Sequence, residues 1–335
     1  MKICLFAALA ALALYSCDKQ DAPLIQPNND ALVDLTFTEQ APTRTFFAET
    51  ATAEAWEKSL SALTVYVFKD NGDLILQRDF SAAEIAARAA TLALPHATAG
   101  MTCDFYTVAN MPLAGVASKA ELLSKLETAA AQYNGSFAQV STSARRTEGF
   151  VMTAHAHTTV ATGTTTTVAM TLKRTVAKIA VQTTVAPSFA SKYSGTLTVT
   201  GTKLLRAASQ SPIIAPATAA PGPMTYTHAQ APATASGNFQ NLFYIFENGA
   251  LPEANRVTLE IAATYDADGN TTTTSDRMDI IYNVPLTGKA AGEICRNGYY
   301  RVTANITGLV GQDCQISVTV AEWEGPISQS VDLGA

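Results

Sequence analysis

The sequence is poor in the features that mark nucleic-acid-binding or disulfide-stabilised proteins. Charged residues make up only 15% of the 335 residues, the net charge is −6, and no cluster of Lys and Arg appears. These features argue against nucleic acid as a partner. The P-loop, G-x-G-x-x-G and G-x-S-x-G motifs are also missing from the sequence. We therefore expect a protein that is not an enzyme and that needs no cofactor.

Cysteines are few, and their positions do not suggest a disulfide framework. Two of the five lie within the first 17 residues, which leaves the odd set Cys103, Cys295 and Cys314. If residues 299–307 and 314–320 form a hairpin, Cys295 lies far along the strand from Cys314, so a cross-strand bridge is not expected. The fold should depend on its apolar core alone.

The N-terminal residues predict export. A positive start is followed by an apolar run over residues 3–14, which is shorter than the roughly 20 residues of a permanent membrane span. Such a run is typical of a secretory signal peptide. Leu-Tyr-Ser-Cys at residues 14–17 resembles the lipobox of bacterial lipoproteins, in which Cys17 is acylated and becomes the mature N-terminus. We predict a signal peptide over 1–16 and a polar tether over 17–30. The alternative is an ordinary signal peptide with an incidental cysteine.

Most of the remaining chain alternates between apolar and polar residues, as half-buried strands do. Val33, Leu35 and Phe37 share one face of the first such segment, and Asn71-Gly72 predicts a hairpin turn. The other predicted strands cover residues 63–68, 73–76, 105–110, 168–172, 176–181, 196–205, 242–246, 257–265, 278–283, 299–307 and 315–323. The pattern predicts an all-β protein of two tandem β-sandwich domains, 31–173 and 174–335.

Three segments interrupt this alternation. Residues 81–92 predict a helix that begins with a capping box formed by Ser81 and Glu84, and residues 118–132 predict a second helix of the same kind. Both helices would be short insertions in the N-terminal domain. Residues 209–238 are rich in Pro, Ala, Ser and Thr, and they predict a long, exposed and mobile loop.

Candidate ligand sites are weak, and no metal site is predicted. His155 and His157 have the spacing of two residues on one strand face, which would suit a metal, but no Cys or carboxylate cluster is evident beside them. Surface histidines are therefore favoured. Trp323 would suit a carbohydrate-stacking site, but a lone Trp that closes an apolar strand favours a core position.

A second candidate site resembles part of a calcium-binding loop. Asp266, Asp268 and Asn270 surround Gly269, but the twelfth position, where such a loop has Glu, is Arg277. This pattern favours an ordinary hairpin turn.

Several segments, in this order, resemble the fimbrillins, the pilin family that builds the fimbriae of Bacteroidales bacteria. They are Thr43-Arg44-Thr45, the hairpin 63–76, residues 105–112 with Val-Ala-Asn-Met-Pro, Phe150-Val151-Met152, residues 172–179, and residues 296–302 leading to Glu322-Trp323. The resemblance implies two tandem transthyretin-like β-sandwiches. It also implies export as a lipoprotein to the outer membrane, and polymerisation by strand exchange after a protease cut near the N-terminus.

The residues allow that mechanism. Arg44 lies in a Pro-bearing segment that should be exposed, so an Arg-specific protease would cut between Arg44 and Thr45 and release the strand of Val33, Leu35 and Phe37. The vacated groove would need a replacement strand.

The C-terminal tail, residues 324–335, is the candidate replacement. Ile327, Val331 and Leu333 share one face of an extended segment, so a neighbour's tail would suit donor-strand insertion. The alternative is that the tail forms the last strand of its own domain.

These features predict a subunit of a surface fimbria that supports adhesion and colonisation, with other fimbrial subunits as partners in a homopolymer. A tip or anchor subunit shares the fold and is the first alternative. The second is a glycan-binding surface lipoprotein that does not polymerise, for which only Trp56 and Trp323 offer stacking surfaces. The sequence does not identify the protease or the host glycan or protein that would be bound.

Overall fold

A computed structural model of the protein describes residues 31–38, 53–235 and 237–310, together with the backbone of residues 315–322. The first half contains β1 Ala31–Thr38, β2 Leu63–Lys69, β3 Leu74–Asp79, β4 Ala89–Leu94, β5 Thr102–Ala109, β6 Leu126–Glu127, β7 Met152–Thr159, β8 Thr166–Thr171 and β9 Lys173–Arg174. The second half contains β10 Val176–Val185, β11 Thr196–Ala207, β12 Ser211–Pro212, β13 Tyr226–Gln230, β14 Ala233–Ala235, β15 Asn238–Phe246, β16 Thr258–Asp266, β17 Arg277–Pro285, β18 Gly298–Ile306 and β19 Gln315–Glu322.

Among the described residues, four short α-helices connect these strands. They are α1 Ala82–Ala87, α2 Lys119–Ser124, α3 Phe137–Val140 and α4 Pro187–Lys192. Single 3₁₀ turns occur at Ala55–Lys58, His96–Thr98, Ala130–Tyr133 and Glu253–Asn255. Three of the α-helices lie in the first half, where the sequence predicts two, and neither α3 nor, in the second half, α4 is predicted.

The first half folds into two facing sheets, which we call the N-terminal sandwich. The strand order is β4-β1-β8 in one sheet and β3-β2-β5-β7-β9 in the other. Leu35 and Met170 from the small sheet pack with Val67 and Phe105 from the large sheet in one buried cluster. The predicted Asn-Gly hairpin is confirmed, because β2 and β3 pair antiparallel around that turn.

The second half repeats this arrangement as the C-terminal sandwich. Its sheets have the orders β14-β15-β10-β18-β19 and β13-β11-β16-β17. Ile179 and Val302 of the first sheet pack against Leu259 and Tyr282 of the second. The fold is therefore all-β with two tandem transthyretin-like sandwiches, which confirms the fold class expected from the sequence.

The helix predicted over residues 81–92 is too long. Its N-terminus is as expected, since the Ser81 backbone N–H donates to Glu84 Oε2 at 2.8 Å and the Glu84 N–H donates to Ser81 Oγ at 3.3 Å. The helix ends after Ala87, where Arg88 takes a left-handed conformation with φ of 55°. The following residues form β4, which buries Leu92 and Leu94.

The helix predicted over residues 118–132 is also too long. Ser118 Oγ accepts the Glu121 N–H at 3.2 Å, but the Glu121 carboxylate accepts from the Ala117 N–H, so the capping box is incomplete. The helix ends at Ser124, and the chain then continues into the short strand β6.

The segment 209–238 is not a structureless loop. Its residues form β12, β13 and β14, and β12 pairs with β6 of the first half. Ile213 and Ile214 are buried in a cluster with residues of β2 and β5. Exposed positions among its described residues are most frequent over 215–223, and others alternate with partly buried ones along β13. Apolar contacts with the first half therefore order a segment whose composition predicts a loop.

The contact between the halves contains a buried ion pair. Glu57 is fully buried, and its Oε1 accepts from Lys178 Nζ at 2.8 Å and from the Tyr244 hydroxyl at 2.5 Å. The Arg174 Nε donates to the Glu57 carbonyl oxygen at 2.9 Å. Desolvation and then the Glu57 charge raise the pKa of Tyr244 well above its ordinary value. Polar contacts thus link the 3₁₀ turn of the first half to β10 and β15.

Candidate functional site

The most distinctive strand of the N-terminal sandwich is β1, because it lies in the middle of a three-stranded sheet. It pairs antiparallel with β4, so that Val33 lies opposite Leu92, and parallel with β8, so that Val33 also lies opposite Thr166. Among the described strands, β4 and β8 pair with no strand other than β1. Removal of β1 would leave both neighbours with unpaired backbone groups and would open a groove between them. We call this space the β1 groove.

One face of β1 closes the core of the sandwich. The side chains of Ala31, Val33, Leu35 and Phe37 are buried, whereas Thr36 on the other face is exposed. The Phe37 ring meets Phe80 edge-on, with centroids 5.4 Å apart. The expectation that Val33, Leu35 and Phe37 share a core face is therefore confirmed.

Few polar side-chain contacts hold β1 in place. Asp34 Oδ1 accepts from the Thr91 hydroxyl at 2.6 Å, and the Thr38 and Thr171 hydroxyl oxygens lie 3.4 Å apart. At its end, the Phe37 N–H donates to the Arg88 carbonyl at 2.9 Å. The strand is thus bound by ladder hydrogen bonds and apolar burial, which any strand of suitable pattern can reproduce.

The walls of the β1 groove include residues that sequence analysis did not single out. Leu92 and Leu94 come from β4, and Val168 and Met170 come from β8; all four are buried. The alternation of apolar and polar residues in β4 was the available signal, but the predicted helix over residues 81–92 concealed it.

The remaining predicted assembly residues lie outside the described part of the chain. These are Cys17, Arg44 and Thr45 on the N-terminal side, and Ile327, Val331 and Leu333 in the tail. The strand nearest the tail is β19, which lies at the edge of its sheet and ends with Glu322 opposite Gly298.

A polar cluster on the large sheet of the N-terminal sandwich contains His155 and His157. The structure places a carboxylate beside them, which the sequence did not indicate. Asp104 Oδ1 lies 2.8 Å from His155 Nε2 and 3.0 Å from His157 Nδ1. Lys119 Nζ donates to Asp104 Oδ2 at 2.6 Å. Both imidazoles are about half exposed, as expected for surface histidines. Because β5 and β7 are adjacent, the sheet brings together residues that lie about fifty positions apart in sequence.

The charge of Asp104 is stabilised within this cluster. Burial disfavours its carboxylate, but the hydrogen bonds from Lys119, His155 and His157 outweigh burial and lower its pKa from 3.8 to about 2. Asp70, Asp104 and His157 each place one ligand-type atom within 4.8 Å of the others. Lys119 already neutralises the buried carboxylate, so the cluster works as an internal ion-pair network.

Trp56 does not offer an exposed stacking surface. Its ring is partly buried and packs with Phe150 and Tyr244, at centroid distances of 6.0 and 6.4 Å. Trp323, the other candidate stacking residue, lies outside the described residues. No helix among the described residues is long and apolar enough to cross a membrane.

Comparison with known proteins gives a family match that covers most of the chain. Residues 27–326 match the family described as Fimbrillin-A associated anchor proteins Mfa1 and Mfa2. The sequence has no significant match among curated proteins.

Solved structures of bacterial proteins share the fold. One is a fimbrial assembly protein from Parabacteroides distasonis, with 14% identity, a TM-score of 0.57, and coverage of 90% of this chain and 98% of that chain. Another is the tip fimbrial protein Mfa3 from Porphyromonas gingivalis with C-terminal truncation, with 14% identity, a TM-score of 0.55, and coverage of 87% and 100%. A fimbrilin from Porphyromonas gingivalis has 18% identity, a TM-score of 0.54, and coverage of 83% and 90%.

Proposed function

This chain belongs to the family of Fimbrillin-A associated anchor proteins Mfa1 and Mfa2, and we propose that it is a structural subunit that polymerises by donor-strand exchange. Family membership implies a role in a fimbrium, which is a cell-surface appendage, and association with other fimbrial subunits. Our proposal adds the route to the surface, the activation step and the mode of assembly. We also propose that the role is structural and adhesive, with no catalytic activity.

The observation that carries the proposal is the position of β1. The strand is central in its sheet and buries one apolar face, yet it lies close to the N-terminus and ends only six residues before Arg44. A central strand is a costly element to lose, because two neighbouring strands lose their partner at once. Cleavage between Arg44 and Thr45 would separate β1 from the sandwich covalently and prepare the β1 groove for another strand.

The lipid anchor would act before that step. Acylation of Cys17 would hold the precursor at the outer membrane with β1 still in place. After the cut by an Arg-specific protease, the lipidated N-terminal piece would leave with β1. Polymerisation would thus begin only at the surface, since an intact precursor has no vacant groove.

The donor in this proposal is the tail, residues 324–335. Ile327, Val331 and Leu333 would enter the groove of the next subunit and cover the core where Val33, Leu35 and Phe37 lie in the precursor. Burial of an aliphatic side chain of this size stabilises by roughly 1.5–3 kcal/mol. Three such side chains and a restored hydrogen-bond ladder would make the joint strong.

Substitutions on the two faces of the tail test the donor role. Val331→Asp should give a folded, secreted and cleaved monomer that does not polymerise, because a charge in the groove loses the apolar burial and adds a desolvation cost. Ser330→Asp changes the opposite face and serves as the matched control, with near-normal filaments expected. The readout is the ladder of oligomers on an unboiled gel, beside a melting curve for each monomer.

Deletion of residues 327–335 tests the alternative that the tail belongs to its own domain. Donor-strand exchange predicts a monomer with an unchanged melting temperature and no ladder. If the deletion unfolds the monomer, the tail is the last strand of its own sandwich. If the deleted protein still forms a ladder, another segment is the donor.

A second candidate role is an anchor subunit, which the description of the family favours. An anchor would keep its lipid and its β1 strand. N-terminal sequencing distinguishes the two roles: a stalk subunit from sheared filaments should begin at Thr45, whereas an anchor from the membrane should keep Cys17 as its first residue. Recovery of only the Cys17 form from filaments would favour the anchor.

A further inference from the structure

The turn that joins β16 to β17 brings three carboxylates together. One carboxylate oxygen from each of Asp266, Asp268 and Asp276 lies within 4.8 Å of the others. Asp266 ends β16 and is 6% exposed, whereas Asp268 is exposed and Asp276 is partly buried. Sequence analysis singled out the first two of these residues but not Asp276, which lies one position before the expected twelfth ligand.

Asp266 and Asp276 each have one carboxylate oxygen with a hydrogen-bond donor and one buried oxygen without a donor among the described residues. Asp266 Oδ2 accepts from Arg277 Nε at 3.1 Å, and Asp276 Oδ2 accepts from the Asp268 N–H at 2.9 Å. Their Oδ1 atoms are buried and have no hydrogen-bond partner in the described part of the chain. Buried carboxylate oxygens without a partner are rare and require an explanation, such as a bound ion. Arg277 offsets only one of the three negative charges.

At the base of the turn, the backbone at Gly195 packs closely against the backbone at Asp266. A Cβ at Gly195 would lie 1.9 Å from the Asp266 carbonyl oxygen, so only glycine allows this contact. Gly269, at the tip of the turn, has a φ of +69°, and Asp268 Oδ1 accepts the Asn270 N–H at 2.7 Å. These contacts constrain the backbone at the base and at the tip of the turn that carries the three carboxylates.

We propose that this turn binds one Ca²⁺ ion, with Asp266 Oδ1, Asp276 Oδ1 and an Asp268 oxygen as ligands. All three ligands are hard carboxylate oxygens, which suit Ca²⁺ and not the transition metals that prefer nitrogen or sulfur. Ca²⁺ also accepts irregular geometry, and water molecules would complete its shell, whereas Mg²⁺ requires a near-regular octahedron. Bound calcium would tie the end of β16 to the start of β17. The site is independent of polymerisation, so either proposal can fail alone.

Calcium titration of the full-length protein by calorimetry tests the proposal. The wild type should bind one Ca²⁺ with a Kd on the order of 10⁻⁴–10⁻³ M, as extracellular calcium modules do. Asp276→Asn and Asp268→Asn should each weaken binding by at least about tenfold, because each removes a charged ligand. Asp279→Asn is the matched control, since Asp279 lies on the same hairpin and accepts from the Thr264 hydroxyl at 2.9 Å; its affinity should stay that of the wild type.

Thermal melting supplies a second readout. Calcium should raise the melting temperature of the wild type and of Asp279→Asn, and it should leave that of Asp268→Asn unchanged. Because Asp268 is exposed, this variant should fold even if Asp276→Asn does not. The proposal is overturned if the wild type binds no calcium at millimolar concentration, or if Asp268→Asn binds it as tightly as the wild type.

Discussion

At the scale of single residues, loss of the Glu57 side chain should be costly. It is fully buried against Lys178 and Tyr244, and both partners are themselves buried. Glu57→Ala would leave a buried ammonium without its carboxylate, which destabilises a protein by about 3–5 kcal/mol. Chemical denaturation of the purified protein measures this loss.

A double variant that removes both the Glu57 and the Lys178 charge complements Glu57→Ala. Glu57→Leu combined with Lys178→Met should recover much of the lost stability, because an apolar pair of similar volume often substitutes well for a buried ion pair. A double variant as unstable as Glu57→Ala would show that the charges themselves are required for the contact between the halves.

The lowered pKa of Asp104 predicts that this residue stabilises the fold less at acid pH. Its folded pKa of about 2 lies below the ordinary value of 3.8, so its contribution is complete above about pH 4 and is lost as the pH falls through 2. The shift corresponds to roughly 2 kcal/mol. The decrease in the free energy of unfolding from pH 4 to pH 2 should therefore be smaller in Asp104→Asn than in the wild type. Asp73→Asn, at an exposed ion pair with Lys69, should follow the wild type.

At the scale of elements, β1 should stabilise the precursor but not the mature subunit. Leu35 is completely buried at the centre of the strand, and Leu35→Ala in such a site costs about 2–5 kcal/mol. In the uncleaved precursor, this loss should appear in the unfolding free energy. Subunits recovered from filaments should show none of it, because the strand has left.

Thr36→Ala is the control for this prediction, since Thr36 lies on the exposed face of the same strand. It should change the stability of the precursor by less than about 0.5 kcal/mol. If filaments made from the Leu35→Ala precursor were as unstable as the precursor itself, β1 would have remained in the assembled subunit.

At the scale of the whole molecule, cleavage after Arg44 should decide between precursor and polymer. Arg44→Ala should accumulate as a lipidated monomer at the outer membrane, because β1 then stays joined to the sandwich and fills the groove. Immunoblots of sheared filaments and of membranes measure the distribution. Lys58→Ala, a change of one basic residue beyond the cut site, should polymerise normally. Normal amounts of Arg44→Ala in filaments would remove this cleavage from the assembly route.

Much of the fold could be predicted because a half-buried strand shows an alternation of apolar and polar residues within its own short segment. The alternation of Val33, Leu35 and Phe37 identifies a strand with one buried face, and that face is buried in the structure. The predicted helix over residues 81–92 is wrong in its second half because a helix-start signal and a strand alternation lie next to each other there. The Ser81 capping box is correct, but the helix it starts ends after six residues, and the alternation that follows belongs to β4.

By itself, the sequence determined most of the strand pattern, the all-β class and the likeness to fimbrillins, since these depend on local periodicity and on the order of short segments. Tertiary structure alone decided that β1 lies between β4 and β8, so that its removal opens a groove on both sides. It alone brought Asp104 to His155 and Glu57 to Lys178. The physical reason is that strand pairing and core packing join residues that are distant along the chain, and local patterns carry no record of which partner each strand meets.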